Sequence, residues 1–126
     1  MSFFEKIYQF TLFYSGINAV YQALRKNHLV VLGYHSVSGV THEESPAYNL
    51  YRHLSLSVTV FERQMTYLKG QGYVFLRVSD LVAIQKGERT LPWRAVFLYF
   101  DDGYKDNYIY AYPVLKRLGI PATIFV

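Results

Sequence analysis

Apolar residues along this chain fall into short unbroken runs, and between them lie stretches whose apolar positions recur every three or four residues. Unbroken runs of that length suit strands buried on both faces, and the three-four spacing suits helices. The first run, Leu29 to Leu32, predicts a strand. A polar stretch over 36–56 carries His42, Glu43, Glu44 and Pro46 and predicts a long loop. Thr59 and Glu62 then form a capping-box pattern for a helix with Phe61, Met65 and Leu68 on one face, ending near Gly70 and Gly72. Tyr73 to Leu76 predicts a second strand. Ser79 is placed to cap a short helix, Asp80 to Lys86, with Leu81, Val82 and Ile84 inward and Gly87 beyond its end. The run Val96 to Phe100 predicts a third strand, and Lys105 to Leu118 a helix in which Pro113 requires a kink or a late start. Gly119 closes that helix, and Ala122 to Val126 predicts a fourth strand. Strand and helix alternate as in repeated βα units, the order of an α/β fold with a parallel sheet.

The N-terminal stretch follows another pattern. Phe3, Ile7, Tyr14, Ile17, Tyr21 and Leu24 fall near one helical face, and Lys6 and Arg25-Lys26 flank them. Gln9, Asn18 and Gln22 interrupt the apolar character, so the stretch lacks the roughly 20 apolar residues of a membrane span. It also lacks the basic start and small-residue cleavage site of a signal peptide. Three readings stand, the span the least favoured: residues 3–24 lie on a membrane surface, they pack on the domain's own sheet or on a part of it beyond these residues, or they span a membrane. The chain thus divides into an amphipathic helix at 1–28, membrane-associated in the first of these readings, and a domain at 29–126.

Composition narrows the chemistry. The 126 residues contain no cysteine, which excludes disulfides and thiolate metal sites, so any metal must use His, Asp or Glu. The net charge is +4, but Lys and Arg are scattered without a basic stripe, which argues against nucleic-acid binding.

Candidate chemistry concentrates after the third predicted strand. There Val96-Phe97-Leu98-Tyr99-Phe100 runs into Asp101-Asp102-Gly103-Tyr104. Parallel folds place their chemistry at the C-terminal ends of strands. Two adjacent carboxylates raise each other's pKa unless a cation sits between them, and a divalent metal is the usual partner. One Asp can then ligate while the other acts as a base. The same residues also suit a plain turn and helix N-cap. His35 follows the first predicted strand and emerges on the same rim; a lone His there is more often structural than catalytic, and it is not read as a metal ligand. An Asp-x-Asp phosphatase site is disfavoured, because adjacent side chains diverge. His42 and His53 lack metal-ligand spacing with any partner and read as surface residues.

Larger patterns add to this. Phe100-Asp101-Asp102-Gly103-Tyr104 is followed by Ala111-x-Pro113-x-Leu115-Lys116-x-x-Gly119-Ile120-Pro121-Ala122-Thr123-Ile124-Phe125-Val126. Upstream stand Tyr34-His35-Ser36-Val37, Phe61-Glu62-x-x-Met65-x-x-Leu68, Gly72-Tyr73 and Leu91-Pro92. Together, over 29–126, these resemble the N-terminal half of the polysaccharide deacetylases, the NodB-homology or carbohydrate esterase 4 group, in the branch acting on poly-N-acetylglucosamine-like polymers. The resemblance implies the N-terminal half of a distorted (β/α) barrel, truncated after its fourth strand. It implies metal-dependent hydrolysis of N-acetyl groups on an amino-sugar polymer, with Asp101 as catalytic base and Asp102 as a ligand of a divalent ion, zinc by preference. His35 and Tyr104 would line the substrate site, and the protein would reside in the cell envelope, at a membrane or outside the cell.

Two departures from the family are visible. Tyr99 stands where Thr or Ser is usual, and strand alternation is expected to turn it away from the site. The family's two further metal-binding histidines lie in a His-Ser/Thr-x-x-x-His segment beyond the strand at 122–126. The expectation for these 126 residues alone is therefore no catalysis and an unpaired final strand. The alternative function is a non-catalytic remnant or membrane-associated interaction module with the half-barrel fold.

Overall fold

Residue placement follows from the buried runs. The structure is a computed structural model that describes residues 28–39 and 54–126. Strand β1 spans His28–Tyr34 and β2 spans Ser36–Ser38, so the chain breaks pairing only at His35. Strand β3, Ser55–Ser57, leads directly into helix α1, Val58–Gly70. Then come β4, Val74–Leu76; α2, Val78–Gln85; and β5, Arg94–Phe100. A π-helical turn, Asn107–Ala111, runs into α3, Tyr112–Leu118, and β6 is Thr123–Ile124. The amphipathic stretch at 3–24, His42 and His53 lie outside the described residues.

β5 is the centre of the sheet. It pairs in parallel with β1 along its whole length, from His28↔Arg94 to Tyr34↔Phe100. Its other edge is shared, with β4 against Ala95–Phe97 and β6 against Tyr99 and Phe100, also in parallel. A strand flanked on both edges and covered on both faces must be apolar throughout, and Ala95, Val96, Phe97, Leu98 and Phe100 are all buried. Leu98 and Phe100 join Phe61 and Met65 of α1, and Val114 and Leu115 of α3, in one core. A second, two-stranded parallel ribbon, β2 with β3, docks beside it through Val37, which is fully buried.

Several sequence expectations are corrected here. The predicted loop at 36–56 contains β2 and β3. The cap of α1 is Ser57, whose Oγ accepts from the Val60 N–H at 3.4 Å, and Thr59 lies inside the helix. Helix α2 begins at Val78, ahead of the expected Ser79 cap, and Asp80 accepts from the Arg77 N–H at 2.8 Å. Val82 is exposed, because α2 covers only the short strand β4 and buries no residue fully. The Phe61, Met65 and Leu68 stripe of α1 faces the core as expected. Pro113 leads to the π-helical turn: with no N–H of its own, it cannot continue the regular ladder. The Tyr112 N–H reaches back five residues to the Asn107 carbonyl.

Candidate active site at the strand rim

The register of β1 against β5 builds the site. Tyr34 and Phe100 are paired as the last residues of neighbouring parallel strands, so His35 and Asp101 are the next residues on the same rim. The Asp101 N–H donates to the Tyr34 carbonyl at 2.9 Å and carries the pairing one step further. His35 Nε2 lies 3.9 Å from Asp101 Oδ2 and 4.0 Å from Asp102 Oδ2. These separations are too long for hydrogen bonds but bring an imidazole between two carboxylates. The His35 and Asp101 side chains are about one-third exposed, at 36% and 35%, and Asp102 is more open at 60%, so the cluster faces solvent.

Backbone geometry aims the carboxylates. Asp102 has φ 66°, the only positive φ of a described non-glycine residue, and Gly103 follows at φ 58°. Two successive left-handed residues reverse the chain within a step of the strand end. Such a conformation strains an ordinary residue and is kept where the surroundings demand it. Tyr104 comes next, its ring partly exposed, and its carbonyl accepts from the Asn107 N–H at 3.0 Å at the start of the π-helical turn. No described contact links the Tyr104 ring to the His35 cluster.

An aromatic platform supports the rim. Tyr34, Phe61 and Phe100 pack mutually, with ring centroids 5.1 Å apart for Tyr34–Phe61, 5.9 Å for Phe61–Phe100 and 5.8 Å for Tyr34–Phe100. Tyr34 and Phe100 immediately precede His35 and Asp101. The Tyr34 hydroxyl donates to Gln64 Oε1 at 2.7 Å, and burial pushes its pKa from 10.0 up to about 12. On the opposite face Tyr99 covers Gly33, its register partner, and a Cβ at Gly33 would meet Tyr99 Cε1 at 2.9 Å. The Tyr99 ring rests between Phe97 and Phe125, one pleat back from the rim.

Sequence reasoning gave no role to three residues that tether His35. The Ser36 N–H donates to the Leu54 carbonyl at 3.0 Å, and its hydroxyl bonds Ser55 Oγ at 3.1 Å. The same Ser36 hydroxyl donates to Asp106 Oδ2. His35 is thus held on one side through Tyr34 and on the other through Ser36. These partners lie far apart in sequence, and no spacing rule joins them.

Imidazole and carboxylate donors are the chemistry a divalent ion such as zinc accepts. Two ligands of one tetrahedral zinc stand ~3.4 Å apart, so the 4.0 Å between His35 and Asp102 is wide for a shared ion. Among the described residues no group of three His, Cys, Asp or Glu is arranged as an ion cage. The donors fit the chemistry, and an ion would need ligands beyond them.

Comparisons with known proteins bear on this rim. A family model described as polysaccharide deacetylase matches residues 88–126, which contain both Asp101 and Asp102. The chain belongs to the polysaccharide deacetylase family. YxkH of Bacillus subtilis, a protein assigned to the polysaccharide deacetylases, is 35% identical over 98 residues, covering 78% of this chain and 31% of its own. A poly-beta-1,6-N-acetyl-D-glucosamine N-deacetylase of Staphylococcus aureus is 36% identical over 75 residues, 60% of this chain and 26% of its own. The structure of a de-N-acetylase from Aggregatibacter actinomycetemcomitans matches with a TM-score of 0.64 at 34% identity, over 76% of this chain and 36% of that one. The chain therefore spans about a third of the length of the deacetylases it matches. No helix of the described residues is long and apolar enough to cross a membrane.

Proposed function

We propose that the rim of β1 and β5 is one wall of the active site of a metal-dependent deacetylase that hydrolyses N-acetyl groups on an amino-sugar polymer. The observation that carries this reading is the convergence of His35, Asp101 and Asp102 within 4.0 Å at the C-terminal ends of adjacent parallel strands. The parallel sheet is then the N-terminal half of a distorted (β/α) barrel. The substrate class follows from the named activities of relatives such as the Staphylococcus aureus enzyme.

In this reading Asp102 ligates the ion, zinc by preference, with the remaining ligands supplied from beyond the described residues. The ion, when bound, polarises the acetamide carbonyl and lowers the pKa of water. Asp101 Oδ2 takes the proton of the attacking water. The water oxygen bonds to the carbonyl carbon, the C–N bond breaks, acetate departs, and the proton passes to the leaving amine. His35, beside both carboxylates, lines the substrate site, and Tyr104 borders the sugar. The described donors do not close an ion site, so turnover by these residues alone is not expected. In this reading the protein acts in the cell envelope, at a membrane or outside the cell.

The test is acetate release from an N-acetylglucosamine polymer by the native polypeptide. Asp101→Asn preserves shape while removing the base, and should lower turnover at least a hundredfold. Turnover unchanged by Asp101→Asn overturns the proposal.

A further inference from the structure

β1 closes one side of the described sheet, which runs β1-β5-β4. By alternation, Val30, Leu32 and Tyr34 project to the face that carries α1. Alongside α1 they wall an apolar groove of about 450 Å³, completed by Tyr67, Leu68 and Tyr73. In α/β folds this position, on the face of a strand and beside the neighbouring helix, is where another helix packs. No described residue fills it.

The sequence upstream of β1 offers a candidate of matching chemistry and length. Only Arg25, Lys26 and Asn27 separate Leu24 from His28, a short link of the kind that turns a helix back along the strand it precedes. A helix ending at Leu24 would run antiparallel to β1, side by side with α1, which has the same direction relative to the sheet. At ~1.5 Å rise per helical residue against ~3.3 Å per strand residue, Tyr21 falls beside Val30, Ile17 beside Leu32 and Tyr14 beside Tyr34. Those three belong to the apolar stripe of the segment, and their partners are the groove wall. The tether adds to the match, since a link of only three residues keeps the segment close to β1 and gives an effective concentration in the millimolar range.

We propose that residues 3–24 are the occupant of the β1–α1 groove: an amphipathic helix docked on this chain's own sheet through Tyr14, Ile17 and Tyr21. The inference is independent of the catalytic reading. It makes the aromatic segment part of the fold and withdraws its apolar face from a lipid surface.

The absence of cysteine from the chain permits a clean test. Tyr21→Cys with Tyr67→Cys places two thiols across the proposed contact, and Tyr67 is 45% exposed, so its replacement leaves the core intact. Ala19→Cys with Tyr67→Cys is the control, because Ala19 lies on the far side of the helix from the stripe. A bis-thiol reagent reaching about 8–10 Å, the spacing of packed helices, is applied to the native polypeptide carrying each pair. The expected result is an intramolecular link in the monomer at least tenfold faster for the Tyr21 pair. Equal rates for both pairs overturn the proposal. Links found only between two molecules overturn it in favour of a second copy. Loss of the link on adding phosphatidylcholine–phosphatidylglycerol vesicles, with co-sedimentation, overturns it in favour of a membrane. Hydrogen exchange on the unsubstituted protein removes dependence on any variant: residues 14–24 should be protected at least a hundredfold, and unprotected amides there refute the docked helix.

Discussion

Phe61 is the residue whose loss should be felt furthest. Its ring is fully buried and stands edge-on to Tyr34 at 88°, with Phe100 tilted against it at 56°. Truncation to alanine removes the transfer free energy of a whole ring and leaves a cavity, a change that costs about 3–5 kcal/mol. Part of this is the two ring–ring contacts, each about 0.5–1.5 kcal/mol. Against a total stability of about 5–15 kcal/mol for a domain, Phe61→Ala removes about a fifth or more. Phe61→Leu keeps most of the volume and should cost about 1–1.5 kcal/mol. Urea unfolding of the native polypeptide, followed by far-ultraviolet circular dichroism, gives both values from midpoint and slope. The ordering Ala worse than Leu, with an unchanged slope, is expected. A loss under about 1 kcal/mol for Phe61→Ala would refute the claim that the three rings form the platform beneath the rim.

Two further outcomes follow from single side chains. Burial raises the Tyr34 phenol from 10.0 to about 12, so the unfolded chain releases this proton first as pH rises. The stabilisation of the neutral phenol is complete below about pH 10 and is lost between about pH 10 and 12, by no more than about 2 kcal/mol after discounting for partial exposure. Urea midpoints across that window should fall less steeply in Tyr34→Phe, and identical slopes refute the assignment. Asp102 sits at φ 66°, where glycine is unstrained, so Asp102→Gly should stabilise by about 0.5–1 kcal/mol and Asp102→Ala should destabilise. Thermal melting checks the pair, and a destabilising Asp102→Gly would show that the carboxylate itself supports the turn.

Much of the sheet was legible because β5 is buried on both edges and both faces, and only an unbroken apolar run survives there. The α1 stripe was legible for the same reason, since Phe61, Met65 and Leu68 have the core on one side and water on the other. The β2–β3 ribbon was not. Ser36-Val37-Ser38 and Ser55-Leu56-Ser57 each offer one apolar residue, and only their mutual pairing makes strands of them. The start of α1 was misplaced by two residues because Ser57 and Thr59 are chemically equivalent caps, and the choice falls to the strand that delivers the chain. The π-helical turn left only the trace of Pro113, which says that the ladder breaks without saying how.

The site itself divides along the same line. Parallel strands put their C-terminal ends on one rim, so His35 and the Asp pair were bound to emerge on the same side. That they touch is a different matter, because β4 comes between β1 and β5 in sequence but not in space. Had the order followed the chain, a whole strand of ~4.8 Å spacing would separate His35 from Asp101. What makes them neighbours is the register Tyr34↔Phe100, and that register is favoured by side chains distant from the chemistry. Gly33 gives Tyr99 room on one face, and Phe61 receives both Tyr34 and Phe100 on the other. A slip of β1 by one residue would send Tyr34 to the wrong face and carry His35 away from Asp101. The packing that stabilises the sheet thereby fixes the geometry of the rim, which is why a buried ring of α1 bears on residues it does not touch.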